Sequence, residues 1–587
     1  MVTQPPRLGL GRPWRGILGS YSTAHRINLF FAFVIVTGLV AGLGCLAFYT
    51  ATHEAVHLVR QLAGGHPVRV VALAVAGGLL VGLLGAIGPK HRLEGVARVI
   101  YGAALGRALV GLWETLGVFI RSTITIGTGG SAGREGPVVV IGAGLAGTLG
   151  RMLKLSGQEM RTLLAAGVAA GVAVSFNAPI AASLFALEII LGDFAAGTFS
   201  LVVLAAVAAT VVAYGLLGSQ PVLQVPAYTF HHWAEFLFYA GLGVAAGLMG
   251  RLYIAAIRGM GRLFGRLPGP EWIRPAVGGL LFGLAGVALP LTLGGDYTPI
   301  IVAAEGGMTW YVLLGLAVAK LVTTAITLGS GGAGGAFAPG FVIGAFLGGG
   351  YGTLVHQLFP AVTGAAGGYA LVGLGAMLAS FTLAPITAIL LLFEITRDYA
   401  IILPAMVACS VAYGVSRGFS PYNIDTLSLH EAGIEWRSGH RLRLLQQVTA
   451  DQVMTTAVHT IRADQSVADL IALMQRHRHT GFPVLDGQGR VVGMVTLDDV
   501  RETPMEGRLQ RPIAEVMSSR LIVSYPDESL DRVLQTMAEH DVGRVAVVDR
   551  KDPGRLLGII TKGDILRAYN EQALDPGERT GLEGPVA

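Results

Sequence analysis

The residues best placed to do chemistry are Gly133-Arg134-Glu135-Gly136-Pro137. An acid stands there between glycines, directly ahead of the apolar run 138–146 and inside a long stretch that reads as lipid-soluble. Ionisable groups at membrane depth are costly, so they mark an ion or proton path. The preceding Gly129-Gly130-Ser131-Ala132 lets the backbone come close to a ligand, and Pro137 is the residue type that opens a helix. A helix start presents N–H groups that attract an anion. Glu135 is itself a tethered anion, able to occupy that place and to leave it when protonated or displaced. The spacing therefore specifies a gate. The plainer role of such an acid, complementing a helix dipole, suits a soluble protein better than this apolar setting.

Such a gate needs membrane helices to hold it, and the composition supplies them. The chain has 587 residues, 52% hydrophobic and only 13% charged, with 84 glycines. That describes a polytopic helical membrane protein with the lipid bilayer as its partner. A net charge of +5, dispersed along the chain, gives no case for nucleic acid. Cys45 and Cys409 both lie in apolar segments, so neither a disulfide framework nor a cysteine metal site is expected. Residues 1–27 carry Arg7, Arg12, Arg15 and Arg26 but no apolar core leading to a cleavage site. They read as a cytoplasmic N-terminal segment without a removable signal peptide, in a multi-pass protein of a prokaryotic plasma (inner) membrane.

From 28 to 428 apolar stretches follow one another, several of them shorter than the ~20 residues of a full crossing. Short, Gly/Pro-interrupted segments in both halves of a chain point to broken helices that meet at a midplane binding site. An internal repeat agrees. Gly129–Pro137 echoes Gly331–Pro339, and Asn177-Ala178-Pro179-Ile180 leading to Glu188 echoes Leu383-Ala384-Pro385-Ile386 leading to Glu394. The step from proline to glutamate is nine residues in both, and the two proline-to-proline spans are 42 and 46 residues. Two glycine loops that each open a helix imply two half-helix N-termini converging on one anion.

These residues resemble the CLC family of chloride channels and proton-coupled chloride exchangers. The resemblance covers about 90–427 and rests on three motifs in order: Gly-Arg-Glu-Gly-Pro at 133–137, Gly-Ala-Phe-Ala-Pro at 335–339, and Ser420-Pro421-Tyr422 after the last membrane helix. It implies inverted repeats and a homodimer with one pore per subunit. It also implies that Glu135 is the gating glutamate, flanked by Arg134 and Gly136, that the backbone N–H groups near Ala336 and Phe337 are anion ligands, and that Tyr422 is the inner tyrosine. A tyrosine at a helix end is also an ordinary interfacial residue.

Two departures from the family pattern bear on mechanism. Where the family has Gly-Ser-Gly-Ile-Pro, with the serine donating to the anion, this chain has Leu93-Glu94-Gly95-Val96-Ala97, which puts Glu94 in the serine's place beside Gly95. An ionised carboxylate repels an anion and cannot donate to it. Either Glu94 is held neutral and joins a proton path with Glu135, or it turns away and backbone N–H groups take over, or the ligand is no ordinary halide, unless the register is off by one. Second, exchangers of the family commonly carry another glutamate directly after the acid that ends the Asn-Ala-Pro helix. Here Glu188 is followed by Ile189, which cannot relay a proton. That favours passive anion flow, with Glu188 pairing at a helix end.

After 428 the texture becomes charged and alternating. Val453-Met454 recurs as Val516-Met517, and Val491–Asp499 recurs as Leu556–Asp564. Two copies of a βαβ-type unit with buried strands follow from this pattern. The pair resembles a CBS domain pair, in which Thr496, Asp499, Thr561 and Asp564 would hold the ribose and phosphate of an adenine nucleotide. No other cofactor is called for. His477 and His479 lie together on a polar helix end, where solvation is the expected state. A rival from another class is an intramembrane zinc protease, because His53-Glu54-Ala55-Val56-His57 has the spacing of two zinc ligands and a base. Its third ligand would be sought in Leu485-Asp486-Gly487, but that is a turn between two strands of the tail.

The resulting expectation is an all-α polytopic membrane domain of CLC type, with inverted repeats and broken helices, followed by a soluble α/β CBS pair. The expected boundaries are 1–27 (N-terminal segment), 28–428 (anion-transport domain), 429–446 (linker), 447–506 and 507–572 (CBS domains) and 573–587 (tail). The expected function is passage of chloride or a similar small anion through a glutamate-gated pore under regulation by a cytoplasmic CBS pair. Proton-coupled exchange by a non-standard proton path is the alternative and the zinc protease a remote one. No catalytic or metal-binding residue is assigned, and the chain is not expected to be an enzyme.

Overall fold

At membrane depth no water is available to satisfy backbone groups, so apolar sequence of this length has to form helices. The computed structural model describes residues 23–88, 93–155, 157–218, 223, 231–434, 448–477, 479–504, 506–540 and 542–573. The expected N-terminal segment and tail therefore fall largely outside the described residues. The chain forms two units, Met1–Ser438 and Gly439–Ala587.

The first unit is built from α1 (Thr23–Ala63), α2 (Pro67–Ile87), α3 (Gly95–Leu105), α4 (Leu112–Gly127), α5 (Glu135–Met152), α6 (Gln158–Phe176), α7 (Pro179–Phe185, continued by a π-turn to Leu191) and α8 (Ala196–Leu217). The second half follows with α9 (Glu235–Gly265), α10 (Arg274–Ala288), α11 (Thr298–Glu305), α12 (Trp310–Gly329), α13 (Phe337–Leu358), α14 (Ala366–Thr382), α15 (Pro385–Thr396), α16 (Ile402–Phe419) and α17 (Thr426–Glu431). Eight described helices are long and apolar enough to cross a membrane: α1, α2, α6, α8, α9, α12, α13 and α16. Helices α3, α7, α14 and α15 are shorter. Burial sorts the long ones: 94% of the spanning window of α6 and 83% of that of α13 is covered by protein, against 22% for α2. The two central helices are thus shielded from lipid by the rest.

Small residues allow this centre to close. Gly142 of α5 faces Gly167 of α6, and Gly344 of α13 faces Gly373 of α14; a Cβ on any of the four would run into the opposite carbonyl. The same contact thus recurs in both halves, and so do the hydrogen bonds that join them. Gly133 and Gly335 exchange both N–H···O bonds, at 2.7 and 2.8 Å. Ser131 N–H donates to Thr327 Oγ1 while Ala333 N–H donates to Thr125 Oγ1, each at 3.1 Å. The repeat legible in the sequence is therefore a structural repeat. Packing also carries the unit past 428, because Leu429 is fully buried in the main core and Ile434 N–H bonds its carbonyl.

The second unit contains two mixed sheets, β1-β2-β3 (Ile461–Arg462, Gly481–Leu485, Val491–Thr496) and β4-β5-β6 (Val523–Ser524, Arg544–Val548, Leu556–Thr561). In each, the first two strands are parallel and the third adds antiparallel, so the expected βαβ unit gains a hairpin. The repeated Met454 and Met517 explain a repeated glycine. Each methionine lies where a Cβ on Gly558 or Gly493 would have to be.

Candidate functional site

Glu135 is the first residue of α5 and only 1% exposed. Its Oε2 accepts the Ala338 N–H at 3.2 Å, so the carboxylate sits on the first turn of α13, the place expected for an anion. Its Oε1 accepts the Tyr297 hydroxyl at 2.6 Å. Two glycines make room for this. A Cβ on Gly133 would strike the Glu135 carboxylate and the Ala338 nitrogen, and one on Gly136 would strike Gly335. Gly136 accordingly serves close approach of the two loops.

The other motif residues divide. Ala336 and Phe337 are buried at the start of α13, with the Phe337 ring against Phe185 and Phe381 at 5.6 and 5.7 Å. The Arg134 guanidinium lies over the Tyr49 ring at 4.4 Å and near Tyr297 at 5.7 Å, and its Nε has no protein hydrogen-bond partner. Glu94 is the extended residue before α3, exposed and without a capping bond, and Gly95 opens that helix at φ +63°. Tyr422 stacks on His430 at 4.2 Å, while its carbonyl accepts from Arg251 at 2.9 Å. The next two residues bond the carbonyls of Thr382 and Phe381, which ties the segment to the ring that touches Phe337. The structure thus brings Glu135 directly to α13 and joins Tyr422 to the same group through Phe381.

Three participants escaped the sequence reading. Tyr297 follows a Gly-Gly-Asp loop and looks there like an ordinary turn residue. Tyr253, fully buried on α9, donates its hydroxyl to the Ala336 carbonyl at 2.8 Å. Lys320, fully buried on α12, donates to the carbonyls of Thr292, Leu293 and Gly294 at 3.0, 3.4 and 2.7 Å, and so fixes the loop that carries Tyr297. A lone lysine inside the apolar run 311–328 was the available signal.

Glu188 takes the N–H groups of Ile386 and Thr387 at the start of α15, at 3.3 and 2.8 Å, with Ile189 buried beside it. In the second unit, Thr496 and Asp499 close on each other as a capping box, and Thr561 with Asp564 repeats the arrangement. His477 stacks on His459 at 3.7 Å; partial burial, then the neighbouring His459, Arg476 and His479, hold its imidazole below the ordinary range. It is packed rather than simply solvated. His53 and His57 line a cavity with Arg134, and among the described residues no three His, Cys, Asp or Glu side chains form a metal-holding group. Asp486, the third ligand the protease would need, belongs to the other unit. The protease reading has no support.

Comparisons with known proteins bear on the family and the fold. The chain is 36% identical over 343 residues to a putative chloride channel protein ClcB-like of Ralstonia nicotianae, covering 58% of this chain and 80% of that one. It is 33% identical over 396 residues to the H(+)/Cl(-) exchange transporter ClcA of Cronobacter sakazakii, covering 64% and 83%. Its fold matches the crystal structure of a slow cyanobacterial Cl-/H+ antiporter with a TM-score of 0.63 and 26% identity, over 69% of this chain and 97% of that one. Residues 450–506 and 513–571 each match the CBS domain. Residues 86–417 match the family described as voltage gated chloride channel, and the chain belongs to that CLC family.

Proposed function

We propose that this protein exchanges chloride, or a similar small anion, for protons across a membrane. The observation that carries the reading is the position of the Glu135 carboxylate on the Ala338 N–H, where it stands in for an anion at the start of α13. An acid and an anion that compete for one place alternate there: the anion enters when the carboxyl takes a proton, and the carboxylate returns when the anion leaves. That exclusivity is the minimum required for coupling. Ile189 had favoured passive flow, but relatives named as H(+)/Cl(-) exchange transporters support exchange better. The proton then reaches Glu135 without a carboxylate at position 189, with Glu94 as a candidate on the way. The test is proton movement driven by a chloride gradient in liposomes.

Tyr422, the N–H groups of Ala336 and Phe337, and Gly95 complete the anion path in this reading, in a homodimer with one path per subunit. The CBS pair faces the cytoplasm, and an adenine nucleotide held by Thr496, Asp499, Thr561 and Asp564 regulates transport. Calorimetric titration of the full chain with ATP tests that part.

A further inference from the structure

A proton that position 189 cannot carry needs another acid on its way to Glu135. Such an acid sits inside the protein with part of its carboxyl free of fixed partners. Among the described residues of the membrane unit, two carboxylate oxygens are buried without a hydrogen-bond partner, Glu159 Oε1 and Asp425 Oδ2. The other deeply buried acids are engaged: Glu135 by Tyr297 and Ala338, and Glu235 by the Gly364 N–H at 2.7 Å. Distance separates the two that remain. Glu159 stands in the first turn of α6, whereas it is Phe176, at the far end of that helix, that packs on Tyr297 at 6.5 Å. The helix between them is roughly 25 Å long. Asp425 is only a few contacts from the gate. Its neighbour Ile424 bonds the Phe381 carbonyl through its N–H at 3.0 Å, and the Phe381 ring meets Phe337 and Tyr253, each at 5.7 Å. Phe337 directly precedes the Ala338 that holds Glu135.

The surroundings of Asp425 suit a group that gains and loses a proton. The residue as a whole is half-buried, so it stays within reach of solution although its Oδ2 is sealed. Its N–H donates to Asn423 Oδ1 at 3.0 Å and its carbonyl accepts the Ser428 N–H at 3.1 Å, which fixes the backbone without using Oδ2. The charge that faces it comes from Arg258 on α9, which is itself paired with Glu431 and bonded to Ser428 Oγ at 3.0 Å. On α17, His430 is stacked on Tyr422, and α17 packs on α3, the helix that Glu94 precedes. Burial pushes the Asp425 carboxyl up to about 7 against the pull of Arg258, so both charge states are populated near neutral pH.

We propose that Asp425 is the inner proton carrier of the transport cycle, a role that rests on the exchange reading above. Its carboxyl takes a proton from the inner solution, the Glu135 carboxylate receives that proton through water in the anion path, and the Asp425 carboxylate left behind is reloaded. The turn that holds it lies at the end from which the chain runs on to the CBS pair.

The test uses the full chain in liposomes, with chloride efflux and proton movement recorded together. Asp425→Asn keeps the shape and removes the titrating group. Chloride efflux should continue while the ratio of protons to chloride falls at least about tenfold. Glu159→Gln should keep the wild-type ratio. Arg258→Gln is the second variant. Without that positive charge the acid holds its proton to higher pH, so the pH above which proton movement declines should rise by about half a unit or more. A wild-type ratio in folded Asp425→Asn overturns the proposal and leaves the exchange reading intact. If Asp425→Asn does not fold, the pH profile of Arg258→Gln decides: an upward shift supports the carrier and an unmoved profile overturns it. Chloride efflux without proton movement in the wild type refutes the exchange reading and the carrier with it.

Discussion

Tyr297 donates its hydroxyl to the Glu135 carboxylate at 2.6 Å, so the acid of one repeat is latched by a residue of the other. Hydrogen bonds to charged groups contribute about 1.5–3 kcal/mol. Tyr297→Phe removes one from the ionised form of Glu135 and leaves the ring stacking in place. With the latch weakened the carboxylate should leave the Ala338 N–H more readily, and chloride efflux should rise by about tenfold or more. Chloride efflux from liposomes at one fixed pH checks this; an unchanged rate in a folded variant removes Tyr297 from the gate.

Glu135→Ala takes away the group that competes with the anion. Efflux should continue and lose its dependence on pH, and proton movement should stop. A folded variant that keeps the wild-type pH profile would show that some other acid titrates the pathway.

Glu188 and Glu394 cap each other's helices. Glu188 serves Ile386 and Thr387 on α15, and Glu394 serves Ile180 and Ala181 on α7 at 3.1 and 2.6 Å. Replacing either by Ala leaves two N–H groups unpartnered and should cost about 1–3 kcal/mol. Thermal unfolding in detergent should show a loss for each variant, with Gln at either position milder than Ala. A variant Glu188→Ala as stable as wild type would make that contact dispensable.

Asp425 lies in the turn between α16 and α17, outside the spanning helices, where burial pushes its carboxyl up to about 7 against the opposing pull of Arg258. The unfolded value is about 3.9. The folded state therefore prefers the neutral acid, and this preference stabilises fully below about pH 4 and is lost as pH rises through 7. Asp425→Asn should gain in melting temperature relative to wild type at pH 8 compared with pH 5. The same difference at both pH values would contradict it.

The parts of this protein that sequence reading reached are those set by short-range chemistry. Gly133–Pro137 needs glycines because its backbone meets Gly335 and Ala338, and the same need wrote the second loop at 331–339. The match between Asn177 and Leu383 is subtler. Both adopt left-handed backbone, at φ +53° and +54°, before an Ala-Pro that opens the next helix. Asparagine tolerates that conformation and leucine does so poorly, so only the Ala-Pro and the later glutamate were legible as a repeat. Tyr297 and Tyr253 were not legible, because each acts over a long separation on a carboxylate or a backbone group; Lys320 stood out as a charge in an apolar run, but its target carbonyls, 26 or more residues away, did not. Glu94 could be placed before α3 by register, but which way its side chain turns depends on packing.

The most direct measurement of the central claim is chloride-driven proton transport. Purified protein is reconstituted into liposomes with a chloride gradient and external pH is recorded alongside chloride efflux. Proton-coupled exchange predicts uphill proton movement in fixed proportion to chloride, abolished by Glu135→Ala. Brisk chloride efflux with no proton movement at any pH between 4.5 and 8 would contradict it and return the protein to a passive, glutamate-gated pore.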